Sequence, residues 1–512
     1  MAVAAAGRGG RGYRATQGYS WRRQDRGRKM INALKFVKFE ARTIGFGIIA
    51  IIAIAYILLL PPPSQITNAH LGMIMLGVIV AAILMGFPIA FTLMGLGILF
   101  GLAAFHRPGV PLLENPVFDN MVLRTYGVMT NDVIIAVPLF IFMGYIVERS
   151  GIIDRLFHSL ELAMSRVPAA LAVATIATCA VFAAATGIVG ATVTLMGLLV
   201  LPPMLKAGYD VKMSAGAIAA GGCLGILIPP SVMLILYGAT AGVSVVQLYM
   251  GAIIPGIMLS LMYIGYVIIR ATLNPKLAPK LPAEERNVPA GEIFKRLLTS
   301  FFPLAMLIGA VLGSILFGVA TPTEAAAVGA LGAALLALAY GRMNLRRLKE
   351  SAFLSARTTA MVCWLLVGSW VFASSFATLG GQTVLENFVY SLDLSPGGFL
   401  ILSQFIIFLL GWPLDWTVII IIFIPIFLPM LSNFGIDPLF FGLLTALNLQ
   451  TAFLSPPMAM AAYYLKGVAP PQVTLAHIFL GMIPFMLLQL TAVFLLALFP
   501  QIGMWLPGVF YQ

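Results

Sequence analysis

Residues 201–210 read LPPMLKAGYD, and residues 428–437 read LPMLSNFGID. The two stretches share Leu, Pro, Gly and Asp at positions whose numbers differ by 227. The same offset places a Pro-Pro pair at 456–457 opposite the pair at 229–230, at an equal distance beyond the shared aspartate in each copy. Six aligned positions at one offset indicate an internal repeat, in which each copy carries a turn followed by an interrupted helix.

The composition around this repeat is that of a membrane protein. Of the 512 residues, 61% are hydrophobic and 9% are charged, whereas about 25% of the residues in soluble domains are charged. Apolar stretches long enough to cross a hydrocarbon core of about 30 Å recur from Thr43 to Phe499. The sequence therefore predicts an all-α polytopic membrane protein with about 11 spanning helices and two re-entrant hairpins.

The segment 1–42 forms a basic tail. It holds eleven Lys or Arg residues and two acidic residues, which supply nine of the twelve net positive charges of the chain. Such a tail can bind nucleic acid, but beside a membrane span it is better explained by attraction to anionic lipid on the cytoplasmic side. We predict a basic cytoplasmic tail at 1–42 in contact with membrane lipid, no nucleic-acid partner, and an extra N-terminal span and loop at 43–70.

A polar linker divides the rest of the chain into two halves. The linker at 271–297 separates a first half at 71–270 from a second half at 298–512. Each half contains an apolar segment that is too long for one plain helix, at about 167–200 and about 398–429, and we interpret each as a re-entrant hairpin. Lys and Arg then fall mainly in cytoplasmic loops, as the positive-inside rule requires. The linker is cytoplasmic in this topology, and the second copy of the repeat is inverted.

An inverted repeat with helices interrupted by Gly and Pro is typical of secondary transporters, whose solute and ion sites lie at the interruptions. Proline frees carbonyl groups of the preceding turn, and in hydrocarbon such carbonyls persist only where they line a cavity or bind a ligand. The alternative is that each Pro-Pro pair merely kinks a packed helix, but the pairing at one offset argues against it. We therefore predict an ion-coupled solute transporter.

Other classes of membrane protein find less support. An intramembrane enzyme would need paired carboxylates, a Ser/His pair or a His cluster, and a channel would need a repeated filter; the sequence shows none of these patterns. The three cysteines lie in apolar segments and the four histidines are scattered, without metal-ligand spacing. We predict no enzymatic activity and no cofactor.

Two acidic residues lie in apolar surroundings. Asp415 follows Gly-Trp-Pro-Leu at the predicted tip of the second hairpin, and a carboxylate within a membrane is costly unless a cation neutralises it. It is therefore a candidate ion ligand; the alternative is a helix cap, and the two roles are compatible. Glu324 lies at the third position after Thr321, which is the spacing of a capping box, so we predict capping for this carboxylate, with ion binding as the alternative.

Residues 318–329, GVATPTEAAAVG, resemble a hallmark of the large membrane subunit of TRAP (tripartite ATP-independent periplasmic) transporters. Further strings resemble that family in its order: KAGYD at 206–210, GILIPPS at 225–231, IPIFLP at 424–429, GIDP at 435–438 and SPP at 455–457. The resemblance covers about residues 71–500. It implies an elevator-type, sodium-driven symporter in the bacterial inner membrane, which works with a small four-helix membrane subunit and a periplasmic substrate-binding protein.

Two strings depart from the usual pattern of that family. The first hairpin tip reads ATGIVGAT at 185–192, with fewer hydroxyls than the Ser-Gly-Ser-like form, and QTAFLSPP at 450–457 stands where a Gly followed by Thr-Pro-Pro is common. These changes resemble the mannitol or chloroaromatic branch, which implies a small organic acid such as a 2-oxo or 2-hydroxy carboxylate as solute. The alternative is a stand-alone ion-coupled carboxylate transporter of another inverted-repeat family.

The repeat and the resemblance together predict the sites for ions and solute. Sodium is expected at carbonyls and hydroxyls of the hairpin tips and helix interruptions. The predicted sodium ligands are Thr186, Gly187, Gly190, Thr192, Gly225 and Pro229 in the first half and Asp415, Thr417, Asn448, Ser455 and Pro456 in the second. The half-helix N-termini would attract a substrate carboxylate. The predicted substrate contacts are Ser231, Thr451 and Ser455.

Overall fold

A computed structural model describes residues 66–279, 289–456 and 459–511. The basic tail and the predicted N-terminal span lie outside the described residues, as does part of the linker. Within the described ranges, all of the regular structure is helical. The predicted all-α fold is confirmed.

Ten described helices precede the linker. They are α1 (Asn68–Leu84), α2 (Ile89–Ala104), α3 (Pro116–Met129), α4 (Asp132–Arg149), α5 (Ile152–Ala163), α6 (Ala170–Thr186), α7 (Val189–Lys206), α8 (Val211–Cys223), α9 (Val232–Ala241) and α10 (Val245–Leu273). In this part of the chain, short 3-10 turns at Leu112–Glu114, Leu224–Ile226 and Pro275–Leu277 complete the described helical structure.

Twelve described helices begin at Ala290 or later, and the first of them starts within the predicted linker. They are α11 (Ala290–Ser300), α12 (Phe302–Leu316), α13 (Pro322–Ala339), α14 (Leu345–Thr378), α15 (Gly381–Ser391), α16 (Pro396–Leu410), α17 (Trp416–Asn433), α18 (Pro438–Leu449), α19 (Thr451–Leu454), α20 (Met460–Val468), α21 (Leu475–Leu498) and α22 (Gln501–Phe510). Residues Ile419–Phe423 within α17 form a π-helical turn.

Six of these described helices are long and apolar enough to cross a membrane, and the number rises to eight if two bent helix pairs each count as one span. The predicted total of about 11 spans stays a prediction. The structure contains four helices that we did not predict, α3, α11, α15 and α22. Helix α11 begins at Ala290, so the end of the predicted linker at 271–297 is helical.

The repeat is visible in the helix boundaries. Helices α7 and α17 occupy 189–206 and 416–433, and α8 and α18 begin at 211 and 438, so both pairs keep the offset of the sequence repeat. The shared aspartates explain the second pair, because each caps the helix that follows. Asp210 accepts a hydrogen bond from Met213 N at 2.9 Å, and Asp437 accepts one from Leu439 N at 2.7 Å.

The two copies of the repeat run in opposite directions. Helices α4 and α14 occupy corresponding positions in the two halves, and they pack against each other. The Tyr145 hydroxyl lies 3.5 Å from that of Thr358, while Arg149, further along α4, pairs with Glu350, which is earlier in α14. Contacts that advance along one helix while they recede along the other require antiparallel helices. The repeat is therefore inverted.

The halves also exchange helices. Helix α2 of the first half packs in parallel on α14 of the second, where the Ser375 hydroxyl donates to Gly97 O at 2.8 Å. The symmetry-related contact joins α4 to α13, where the Thr323 hydroxyl donates to Asp132 O at 2.7 Å. Each half thus supplies part of the packing surface of the other.

Candidate functional site

The first hairpin consists of α6 and α7, which lie side by side against α8. A Cβ atom built on Gly221 would lie 3.0 Å from Cys179 Sγ, and one on Gly222 would lie 2.3 Å from Val193 Cγ2. Cys179 precedes the turn and Val193 follows it, yet both meet neighbouring residues of α8. The chain therefore reverses between them, at Gly187, whose φ is +62°.

The tip of this hairpin brings together two of the predicted sodium ligands. The Thr186 and Thr192 hydroxyls lie 3.4 Å apart and are buried. Each also donates to a carbonyl of its own helix, Phe182 O at 3.2 Å and Ile188 O at 3.0 Å. The tip faces the break that follows α8, since a Cβ built on Gly187 would lie 3.9 Å from Pro230 O.

The break after α8 is closed by its own residues. The Ser231 hydroxyl donates to Ile226 O at 2.5 Å, and the Tyr249 hydroxyl donates to Ser231 O at 3.4 Å. Gly225 and Pro229 are buried beside them. Pro229 lines an apolar cavity of about 410 Å³ between α6, α10 and α12. The hydroxyl of Ser231, a predicted substrate contact, is thus already used within the break.

The second hairpin consists of α16 and α17. Phe399, early in α16, stacks on Phe434, just beyond α17, with ring centroids 4.4 Å apart. At the tip, the Asp415 carboxylate accepts a hydrogen bond from Thr417 N at 3.3 Å and a second from the Thr417 hydroxyl. Asp415 therefore caps α17, which is the alternative role that the sequence suggested and which is compatible with ion binding.

The break after α18 is polar and incompletely paired. Asn448 donates from Nδ2 to Gln404 O at 2.7 Å and to Gln404 Oε1 at 3.0 Å, and the Thr451 hydroxyl donates to Asn448 O at 2.6 Å. The buried Ser455 hydroxyl has no hydrogen-bond partner among the described residues. Pro456 is exposed. A buried polar atom without a partner costs about 1–3 kcal/mol of stability. A ligand that forms hydrogen bonds with these atoms would remove this cost.

Gln450 belongs to the same break and was not predicted. Its side chain is 0% exposed, and neither its amide nitrogen nor its amide oxygen has a hydrogen-bond partner in the described part of the chain. The signal in the sequence was a glutamine within an apolar run, shortly before the Ser-Pro-Pro string. Gln404, which accepts hydrogen bonds from the Asn448 side chain, was not predicted either. It too is a single glutamine within an apolar run.

The second tip, the second break and the α1–α2 turn enclose one cavity. The cavity has a volume of about 300 Å³, and its lining includes Asp415, Ala452 and Phe87. Gly411 lets the hairpin approach the break, because a Cβ there would lie 2.9 Å from Ala452 Cβ. The first hairpin contacts the second broken helix too, because Gly190 lies against the ring of Tyr464 in α20. Both tips therefore converge on the second broken helix.

Glu324 lies apart from this centre, at the start of α13. Its carboxylate accepts a hydrogen bond from Thr321 N at 2.8 Å, while Glu324 N donates to the Thr321 hydroxyl at 3.3 Å. This reciprocal pair is a capping box. The predicted capping role is confirmed.

Two hairpins and two broken helices, related by an inverted repeat and buried in an apolar helical bundle, define the class of protein: a multi-pass membrane transporter. The family model for the DctM component of the tripartite ATP-independent periplasmic transporters matches residues 76–502. The chain therefore belongs to the family of TRAP transporter large membrane subunits. The predicted family is confirmed.

Relatives of this chain carry the same designation. It is 27% identical to the C4-dicarboxylate TRAP transporter large permease protein DctM of Pseudomonas aeruginosa, with 76% of this chain and 89% of that protein covered. It is 30% identical to the sialic acid TRAP transporter large permease protein SiaM of Vibrio cholerae (75% and 88% covered). It is 31% identical to the ectoine TRAP transporter large permease protein TeaC of Halomonas elongata (74% and 87% covered). All are named as transporter permeases, in agreement with the prediction of a transporter rather than an enzyme.

Solved structures resemble the fold. The YdaH transporter of Alcanivorax borkumensis superposes with a TM-score of 0.56 at 16% identity, covering 85% of this chain and 99% of that one. MtrF of Neisseria gonorrhoeae superposes with a TM-score of 0.53 at 15% identity, covering 86% and 95%. At these identities the likeness concerns the fold alone.

Proposed function

We propose that this chain is the translocating subunit of a sodium-coupled importer of a small organic acid. The observation that carries the proposal is the convergence of both hairpin tips on the second broken helix, beside a cavity that holds the Asp415 carboxylate. Sodium prefers oxygen ligands, and this region supplies a carboxylate, hydroxyls and carbonyls freed by the helix breaks.

The solute we propose is a 2-oxo or 2-hydroxy carboxylate. Relatives are named for solutes as different as C4-dicarboxylates, sialic acid and ectoine, so family membership leaves the solute open. The strings at 185–192 and 450–457 resemble the branch for which such acids are expected. Buried amide and hydroxyl groups at the second break offer hydrogen bonds to the oxygen atoms of such a solute.

We also propose the tripartite organisation of the family for this chain: a small four-helix membrane subunit, a periplasmic substrate-binding protein and location in the inner membrane with the N-terminus in the cytoplasm. An elevator movement of the hairpins and broken helices would carry the solute. The closely packed glycine contacts between the first hairpin and α8 support movement of that unit as one body.

Uptake into proteoliposomes tests this proposal. The large and small subunits are reconstituted, and radiolabelled pyruvate and L-lactate are supplied with the binding protein. We expect uptake driven by an inward sodium gradient. Equal uptake under a proton gradient in sodium-free buffer would contradict sodium coupling, and full uptake without the binding protein would favour the stand-alone carboxylate transporter.

A further inference from the structure

Each copy of the repeat places a tyrosine in the half-helix that follows its break. Tyr237 in α9 and Tyr464 in α20 correspond at the offset of the repeat. Tyr237 is 1% exposed and donates from its hydroxyl to Pro438 O at 2.7 Å. Tyr464 is 38% exposed, and its hydroxyl makes no hydrogen bond to a described residue. The two tyrosines correspond in sequence but differ in environment.

A pair of substitutions between the copies explains the difference. The ring of Tyr237 lies on Gly442, where a Cβ would be 2.3 Å from Tyr237 Cε1. The position that corresponds to Gly442 in the first copy is Ala215. Ala215 has a Cβ atom at the place where the ring of Tyr464 would have to lie if this tyrosine packed as Tyr237 does. Tyr464 therefore cannot adopt the position of its counterpart.

Gly190 provides the alternative position for Tyr464. A Cβ built on Gly190 would lie 3.0 Å from Tyr464 Cζ, so the ring rests directly on the first hairpin just beyond its tip. The residue that corresponds to Gly190 in the second hairpin is Thr417, whose side chain would fill this space. Gly190, which we predicted as a sodium ligand, thus also accommodates an aromatic ring.

This pose brings the phenol toward the second hairpin tip. Met460, one turn before Tyr464 in α20, lines the cavity that contains Asp415. A hydroxyl donor without a partner among the described residues therefore lies beside the first hairpin, on the helix that also lines the cavity of Asp415.

We propose that Tyr464 binds the solute: its hydroxyl donates a hydrogen bond to a carboxylate oxygen of the transported acid at the junction of the two hairpins. The proposal rests on the proposed function and adds to it a residue that is not among the ion or substrate contacts predicted from the sequence. An anionic solute beside Asp415 is repelled until a cation neutralises that carboxylate. Sodium at Asp415 and solute at Tyr464 would then bind cooperatively, which couples the two.

The first test asks whether position 464 faces the aqueous centre. Cys179, Cys223 and Cys363 are replaced by Ala, and Tyr464→Cys and Tyr237→Cys are introduced separately into the complete membrane complex. We expect a charged methanethiosulfonate reagent to label the variant at 464 and not the matched variant at 237. Absence of labelling at 464, both with and without sodium, would place this side chain against lipid or packed protein and overturn the proposal.

The second test removes only the hydroxyl. Tyr464→Phe keeps the ring on Gly190, so we expect a normally folded transporter whose half-saturating concentration for pyruvate or L-lactate rises at least 10-fold. The matched Tyr237→Phe should lower the thermal midpoint and leave that concentration unchanged. A wild-type half-saturation in Tyr464→Phe would overturn the role of the hydroxyl. If the wild-type complex carries neither acid, the proposed solute class fails, whereas the labelling result still decides whether Tyr464 faces the centre.

Discussion

The two broken helices share their position in the repeat but differ in chemistry. At corresponding positions, the first copy has Gly221, Cys223, Leu224 and Ile228 where the second has Asn448, Gln450, Thr451 and Ser455. The first break closes on itself through the hydrogen bond from Ser231 to Ile226. The second leaves buried hydroxyl and amide groups unpaired among the described residues. A duplicated element has thus been specialised, with the polar contacts concentrated in one copy.

Packing shows the complementary difference. Helix α8 touches α21 backbone to backbone, since a Cβ on Gly216 would lie 2.1 Å from Gly481 O. The position in α18 that corresponds to Gly216 is Leu443, a large side chain that meets Gly251. Flexible side chains adjust to a small shift, whereas two backbones in contact do not. The first broken helix is therefore rigidly anchored, and the second has more freedom to adapt to a ligand.

Gly216→Ala should have the largest effect, because the added methyl group overlaps the Gly481 carbonyl and forces α8 and α21 apart. We expect a loss of about 3 kcal/mol or more of stability, measured as a lower thermal midpoint and a reduced yield of monodisperse protein. Gly467→Ala, in the second broken helix, is the matched control, since among the described residues no atom beyond its own stretch of helix lies within 4 Å of the new Cβ. Equal behaviour of the two variants would refute the rigid contact.

Asp415→Asn should affect coupling rather than folding. Asn keeps the size of the side chain and serves well as a helix cap, but it removes the charge. We expect several-fold more sodium for half-maximal uptake, which corresponds to a coupling cost of about 1–3 kcal/mol. If the variant shows an unchanged sodium dependence, Asp415 acts only as a cap.

Exchanging serine for alanine in each break tests the comparison directly. Ser231→Ala removes the donor to Ile226 O, so we expect about 1 kcal/mol less stability and unchanged solute affinity. Ser455→Ala removes a hydroxyl without a described partner, so stability should not fall, while uptake should need more solute. Thermal midpoints and uptake curves of both variants decide the matter, and the reverse pattern would assign the ligand to the first break.

Glu324→Gln should have the smallest effect. Gln preserves the capping box at the start of α13, and the residue lies outside the centre where the hairpins meet. We expect an unchanged thermal midpoint and the wild-type sodium dependence in uptake assays. A raised sodium requirement would show that this carboxylate contributes to an ion site after all.

Many of the helix boundaries could be predicted because the repeat consists of residues with strong preferences for helix ends. Asp210 and Asp437 cap helices, and Gly208 and Gly435, which have positive φ, follow the ends of the preceding ones. The offset alone therefore located the corresponding helices of the two hairpins and breaks. Helix α3 escaped prediction since its mean hydropathy is moderate and charged residues interrupt its sequence.

The details of the centre were less predictable. Ser231 has the residue type of a solute contact, but a hydrogen bond to Ile226 O already engages its hydroxyl. Gln450 shows no pattern in the sequence, and its lack of partners among the described residues is a property of the packed structure. The environment of Tyr464 depends on Ala215 and Gly190, which are distant in the chain. Such pairings become visible only when the two copies are superposed in space.

The exchange of helices between the halves has a consequence for biosynthesis. Helix α2 packs on α14, and α4 packs on α13 and α14, so these surfaces of the first half lack the helices that cover them while the ribosome is still translating the linker. Glycines that allow those later helices to pack closely, such as Gly97 against Phe372, are at that stage exposed to the surroundings of the nascent chain. Maturation of the first half therefore ends only with insertion of the second.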